Sequence, residues 1–159
     1  GKTTAAMGIV ARCIGHGKKV GIVQFVKGKW ETGERAVLER FPDLVTMTAM
    51  GEGFTWETQD RARDIAAARA AWDRAKEMIL DPENSLVLLD EINIVLRNDY
   101  LPIDEVVAFL KNKPAHMHVI CTGRNAKPEL IEAADLVTEM TEVKHHFRAD
   151  FKAQAGIEF

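Results

Sequence analysis

Along the chain, short unbroken apolar runs alternate with longer stretches whose apolar positions recur every three or four residues. The first run, Lys18-Lys19-Val20-Gly21-Ile22-Val23-Gln24-Phe25-Val26, has no polar alternation except at Gln24. Such a run suits a strand buried on both faces of a parallel sheet. Leu44–Thr48 predicts a second, weaker strand and Ser85–Glu91 a third, its apolar residues ending abruptly in two carboxylates. Met117–Thr122 and Leu136–Met140 predict a fourth and a fifth.

Helical spacing fills the intervals. Residues 2–15 carry Ala, Ile and Val on a helical pattern that stops at Gly15-His16-Gly17, a C-terminal signal. A short helix is expected over 33–41, ended by Pro42. The longest runs from Thr58, a suitable N-cap with Asp60 in the first turn, to Leu80. Ile65, Ala68, Trp72, Ala75 and Ile79 form one apolar stripe on it, so Trp72 reads as a core side chain rather than a ligand contact. Another helix is expected near Pro102, with that proline at its first position and Asp104 and Glu105 in its first turn. Pro128 opens a further short one.

Strand and helix in repeated alternation predict an α/β fold, a doubly wound and mostly parallel sheet with helices on both faces. At 159 residues the chain suits a single domain, with 144–159 as a C-terminal tail that lacks periodicity but carries Phe147, Phe151 and Phe159. A net charge of −3 provides no electrostatic footprint for nucleic acid or an anionic membrane. No apolar run reaches the ~18–20 residues that span a bilayer. Two distant cysteines, Cys13 and Cys121, argue against a disulfide framework, and a reducing cytoplasm is expected.

The candidate chemistry begins at Gly1-Lys2-Thr3-Thr4, which reads as the second half of a phosphate-binding P-loop running into its helix. The full pattern is Gly-x4-Gly-Lys-[Ser/Thr]. Its first glycine, its spacer and the strand that feeds the loop do not appear ahead of Gly1, where the pattern requires them. In such a fold, loop amides and the helix N-terminus hold phosphate oxygens. Lys2 would neutralise phosphate charge and the Thr3 hydroxyl would ligate Mg²⁺. The metal also needs a carboxylate at the C-terminal end of a neighbouring buried strand, the Walker B position, where Asp90 and Glu91 fall. A short motif recurs by chance and acids are common at strand ends. The two together point to nucleotide binding.

Gly53-Phe54-Thr55-Trp56-Glu57-Thr58 is the second informative stretch. In an extended segment Phe54 and Trp56 would point the same way and form an apolar platform. A loop folding both rings back into the core is the alternative. His116, His118, His145 and His146 lack a third ligand at zinc-like spacing, and no Ser/His/Asp nucleophile pattern stands out.

In combination these stretches resemble the ATP:corrinoid adenosyltransferases of the CobA/CobO/BtuR type. The resemblance rests on Gly1–Ala6, Gly15–Lys18, Val23–Gly28, Gly33–Arg35, Gly53–Thr58, Leu89–Glu91, Asp99–Pro102, Thr122–Arg124, Val143–Phe147 and Lys152–Glu158. It covers essentially the whole chain. Many nucleotide-binding proteins share the P-loop piece, whereas the Gly-Phe-Thr-Trp-Glu-Thr loop and the tail are far more specific. Ile92–Leu96 differs in detail from the family pattern.

The resemblance implies a RecA-like P-loop fold and transfer of the 5′-deoxyadenosyl group of ATP to the cobalt of a reduced cob(I) corrinoid. Inorganic triphosphate leaves, so no protein base or attacking water is needed. It further implies that ATP lies reversed relative to other P-loop enzymes, which exposes C5′ to the corrinoid. Lys2 and Thr3 would be the catalytic residues. Gly1, Lys2, Thr3, Thr4, Arg12, Lys27 and Arg124 would surround ATP, while Thr3, Asp90 and Glu91 would hold Mg²⁺ or Mn²⁺. Phe54 and Trp56 match the corrinoid-side aromatics, which displace the lower axial ligand of cob(II) and bring its reduction within reach of a flavoprotein such as flavodoxin; axial ligation is a general lever on metal potentials. A homodimer is expected, and the early part of the P-loop is expected ahead of Gly1. Two other readings compete with this one: an ATPase or kinase with conventional γ-phosphoryl chemistry, and a nucleotide-gated module whose aromatic loop docks a protein.

Overall fold

The computed structural model describes residues 1–26, 32–51, 61–145 and 152–157. Its described elements are α1 (Lys2–Gly15), β1 (Lys19–Gln24), α2 (Gly33–Leu38), β2 (Val45–Ala49), α3 (Arg61–Leu80), β3 (Asn84–Asp90), α4 (Ile92–Arg97), α5 (Ile103–Lys111), β4 (His118–Cys121) and α6 (Pro128–Ala133). The four strands form one sheet in the order β2-β1-β3-β4. Every pairing is parallel: Val20 lies opposite Val45 and Leu86, and Leu86 opposite His118. A parallel sheet of this kind needs cover on both faces, and the sequence supplies it.

Successive residues of β3 serve opposite faces. Leu86 and Leu88 pack with Val20, Ile22 and the Ala6, Met7 and Val10 face of α1, joined by Leu38 of α2. Val87 and Leu89 pack with Val23, Phe25 and the Ala68, Trp72, Ala75 and Ile79 face of α3, joined by residues of α4 and α5. The expected stripe on the long helix is thus the buried one, although Ile65 at its start is 36% exposed. Trp72 is fully buried; its indole N–H donates to Glu105 Oε1 at 3.2 Å, and its ring meets Phe109 edge-on at 5.4 Å. α3 lies so close to the sheet that a Cβ on Gly21 would stand 2.8 Å from Met78 Sδ. A glycine in mid-strand permits that approach.

Three local expectations change. Leu136–Met140 is not a strand: it pairs with no described strand, and Leu136, Val137 and Met140 are 84%, 52% and 50% exposed. An apolar run reports a tendency to be buried, whereas a strand also requires a hydrogen-bonding neighbour. The segment passes beside the helix start, with Met140 Sδ 3.9 Å from where a Gly1 Cβ would be. Pro102 is the N-cap of α5, in extended conformation, and Ile103 is its first helical residue. α4 is a helix that no periodicity announced, since six residues make fewer than two turns. By contrast, Pro128 does open α6, and the expected short helix after Thr32 forms over Gly33–Leu38. The proposed start of the long helix at Thr58 and Asp60 lies outside the described residues.

Candidate functional site

Three elements end at one place. α1 begins at Lys2 with Gly1 as its N-cap, and Ala5 N–H already bonds to Gly1 O at 2.9 Å. The preceding amides of the first turn have no partner within the helix, which leaves donors and positive partial charge at this end. No acidic side chain occupies that turn. β3 ends at Asp90, which is 3% exposed, and β4 ends one residue before the buried Thr122. Because β3 lies between β1 and β4, its carboxyl end sits at the C-terminal edge of a parallel sheet, where ligands of open α/β folds bind.

Side-chain hydrogen bonds tie the three ends together. The Thr3 hydroxyl donates to Asp90 Oδ1 at 3.0 Å, across 87 positions of sequence. Thr122 Oγ1 donates to the same oxygen at 2.7 Å and accepts from the Glu91 backbone N–H at 2.9 Å. Since Thr3 places its proton on Asp90, its lone pairs stay available for a cation. Glu91 has left-handed backbone, φ 59° and ψ 24°, and caps α4. A non-glycine residue there costs on the order of 1–3 kcal/mol and persists only where its surroundings hold it.

Asn93, in the first turn of α4, completes the junction. Its backbone N–H donates to Thr122 O at 3.3 Å and its side-chain Nδ2 to Gly123 O at 3.1 Å. Gly123 has φ +135°, and a Cβ on it would lie 2.7 Å from Asn93 Cβ and 3.2 Å from Asn93 N. Both the backbone angle and the close approach therefore require glycine. Buried Asn93 leaves its Oδ1 without a hydrogen-bond partner among the described residues.

The structure thus gathers Gly1, Lys2, Thr3, Asp90 and Glu91, with Thr4 exposed in the same first turn of α1. Arg124 is exposed on the loop two residues beyond Thr122. Arg12 is exposed in the last turn of α1, about 15 Å along the helix from Lys2 by the ordinary helical rise; the described structure does not bring it to Asp90. Lys27, Phe54 and Trp56 lie outside the described residues, as do His146, Phe147, Phe151 and Phe159. Sequence reasoning cited Thr122 and Asn93 only as parts of longer stretches and missed what they do. Nothing in their spacing from Asp90 marks a contact that depends on β3 and β4 being neighbours.

The donor set suits one kind of cation. A hydroxyl and two adjacent carboxylates are hard oxygen ligands, few enough to leave places for phosphate and water, as Mg²⁺ requires. Among the described residues no group of three or more His, Cys, Asp or Glu side chains gathers as a self-sufficient metal cage. No helix among them is long and apolar enough to cross a membrane.

Comparison with known proteins identifies the family around this junction. The family model described as "ATP:corrinoid adenosyltransferase BtuR/CobO/CobP" matches residues 1–159. A corrinoid adenosyltransferase of Pseudomonas aeruginosa is 57% identical over 159 residues, covering 100% of this chain and 78% of that protein. One from Sinorhizobium sp is 58% identical over 161 residues, covering 100% of this chain and 75% of its own length. Corrinoid adenosyltransferase CobA of Salmonella typhimurium is 49% identical over 159 residues, again covering all of this chain and 80% of that protein. The chain, from the helix start at Lys2 to its tail, belongs to the ATP:corrinoid adenosyltransferase family.

Proposed function

We propose that the junction of α1, β3 and β4 is the ATP end of a corrinoid adenosyltransferase site, and that its task is to steady a triphosphate leaving group. The observation that supports it is the 3.0 Å bond from Thr3 to Asp90, which joins the start of α1 to the end of β3. As a member of its family the protein is an adenosyltransferase of corrinoid and cobalamin biosynthesis. Its substrates are ATP and a corrinoid.

The chemistry asks little of the protein in the way of proton transfer. Cobalt of the reduced cob(I) substrate is a strong nucleophile that attacks C5′, forming the cobalt–carbon bond as the C5′–oxygen bond breaks. The departing triphosphate takes the electron pair. The protein has two things to do: aim C5′ at cobalt, and stabilise negative charge on the leaving group. The first-turn amides of α1 and Lys2 do the second, with Gly1 and Thr4 completing the cradle. Thr3, Asp90 and Glu91 would hold Mg²⁺ or Mn²⁺, which when bound supplies further charge neutralisation to the phosphates. Arg124, on the loop beyond Thr122, is placed to extend the basic side of the site. The resemblance implies Arg12 and Lys27 around ATP as well, Arg12 from the far end of α1 and so away from Asp90, with ATP reversed so that C5′ faces outward. Phe54 and Trp56 form the corrinoid side and prepare cob(II) for a flavoprotein reductant.

Two further features support a RecA-like arrangement. The outer edge of β4 has no paired strand among the described residues, and Met140, half exposed, lies with its Sδ 3.9 Å from where a Gly1 Cβ would be. Such an edge leaves room for a further parallel strand, as a RecA-like sheet would have. The protein is proposed to act in the cytoplasm as a homodimer.

Product analysis tests the reading. Incubation with ATP, Mg²⁺ and chemically reduced corrinoid should give inorganic triphosphate and an adenosylated corrinoid in equal amounts. ADP and phosphate without a cobalt–carbon bond would reject it in favour of conventional γ-phosphoryl chemistry.

A further inference from the structure

We infer that Thr122 is the positioning residue of this site: its hydroxyl sets both Asp90 and Glu91 for the cation and acts through them. The inference rests on the metal-site reading above and adds to it a residue on a third element.

The direction of each bond follows from elementary chemistry. A backbone N–H can only donate, so the Thr122 oxygen must be the acceptor in its 2.9 Å bond with Glu91 N. Its single proton is therefore free for Asp90 Oδ1, 2.7 Å away. One hydroxyl thus orients one carboxylate through its side chain and the other through its main chain. Asp90 Oδ1 accepts a second hydrogen bond from Thr3, so the same oxygen is held by a hydroxyl from the end of β4 and by one from the start of α1. Thr122 is 7% exposed and Asp90 3% exposed, so water does not substitute readily for either bond.

The effect on Glu91 is the less obvious part. Its left-handed backbone is unfavourable for a residue with a Cβ, and the bond to Thr122 holds the peptide at that turn. Thr122 is itself fixed twice: its N–H donates to Leu89 O at 3.1 Å, in the manner of the sheet, and its carbonyl accepts from Asn93 N–H at 3.3 Å. The next residue, Gly123, interlocks with Asn93 at a distance no side chain would allow. A rigid support of this kind is what a cation site needs behind its ligands, because ligands that must be ordered on binding lose affinity.

The test compares Thr122→Val, which keeps shape and removes the hydroxyl, with Thr122→Ser, which keeps the hydroxyl. Thr122→Ala, lacking the hydroxyl with less volume, is run beside them. The probe is Mn²⁺ titrated into protein with ATP and no corrinoid, followed by the free-ion paramagnetic resonance signal at a temperature where circular dichroism shows each variant folded. Loss of an outer partner typically weakens metal affinity about 10–100-fold, so Val and Ala should fall in that range and Ser should stay within about threefold of the parent. A lowered melting temperature with unchanged Mn²⁺ affinity in Val and Ala would make Thr122 merely structural and overturn the inference. Ser as weak as Val would overturn it too, since the hydroxyl would not be the cause. Asp90→Asn separates the two levels: if it leaves Mn²⁺ affinity unchanged, the metal site itself is misassigned and the inference goes with it. If Asp90→Asn weakens binding and Thr122→Val does not, the site stands and only the role of Thr122 falls.

Discussion

Thr3 in the first turn of α1 donates a 3.0 Å hydrogen bond to Asp90 at the end of β3, joining the two halves of the proposed nucleotide site across 87 positions of sequence. Removing either partner should uncouple them. Asp90→Asn, which keeps shape and removes charge, should slow adenosylation of chemically supplied cob(I) by about 100-fold or more, the scale set by losing one charge-stabilising group. Thr3→Val should behave similarly and Thr3→Ser should retain most activity. The appearance of the cobalt–carbon absorption band measures all three. Near-normal rates in Asp90→Asn would remove this pair from the mechanism.

Glu91 offers a separation of stability from activity. Its φ of 59° suits glycine, so Glu91→Gly should leave the melting temperature unchanged or raise it, the relief being on the order of 1 kcal/mol. The same substitution deletes a proposed cation ligand, and the Mg²⁺ concentration for half-maximal rate should rise about tenfold or more. A thermal melt and a Mg²⁺ titration on the same sample decide it.

Gly123→Ala should be costly for a protein of this size. Its φ of +135° is closed to a side chain, and the new Cβ would meet Asn93 Cβ at 2.7 Å. Backbone strain and displacement of α4 together predict about 2 kcal/mol of destabilisation in a denaturant titration. Gly8→Ala, inside α1 with nothing within 4 Å of the added atom, should instead raise stability by about 0.5–1 kcal/mol, because alanine is the better helix former.

Phe54→Ala and Trp56→Ala should reduce turnover when cob(II) must be reduced on the protein by a flavoprotein. They should matter much less when cob(I) is supplied chemically. Lys2→Ala should damage both assays alike, because it acts on the phosphates. Equal losses in both assays for the aromatic variants would sink the axial-ligand role.

Cys121 provides a pH test. Burial pushes its thiol from 9.0 up to about 12, since the interior disfavours the thiolate. At pH 8 almost all of it is protonated, so mass-mapped alkylation of Cys121 in the folded protein should be slow. The rate should rise about tenfold per pH unit as the thiolate fraction grows. Between pH 9 and about 12 the folded state binds more protons here than the unfolded state, so this group's contribution to stability falls as pH rises. Fast labelling at pH 8 would show that the β4 end opens readily.

Local pattern alone determined the α/β class of this fold and marked the two stretches that the proposed site joins. Apolar runs at 19–24 and 84–90 could be buried only as central strands, and the three-and-four spacing through Ala68, Trp72, Ala75 and Ile79 could bury its stripe only as a helix. Gly1–Thr4 and Asp90–Glu91 stood out as candidates because phosphate and Mg²⁺ demand particular donors at the ends of particular elements. What sequence could not decide was which ends would meet. Strand order is a choice of hydrogen-bonding neighbour, and an apolar run carries no record of that choice. This is why Leu136–Met140 reads as a strand yet pairs with none described, while α4, at six residues, was too short to show a helical period. The order β2-β1-β3-β4 is what places Thr122 against Asp90 and Glu91. A hydroxyl acting across two strands leaves no periodicity behind, so its part in the site belongs to tertiary structure alone.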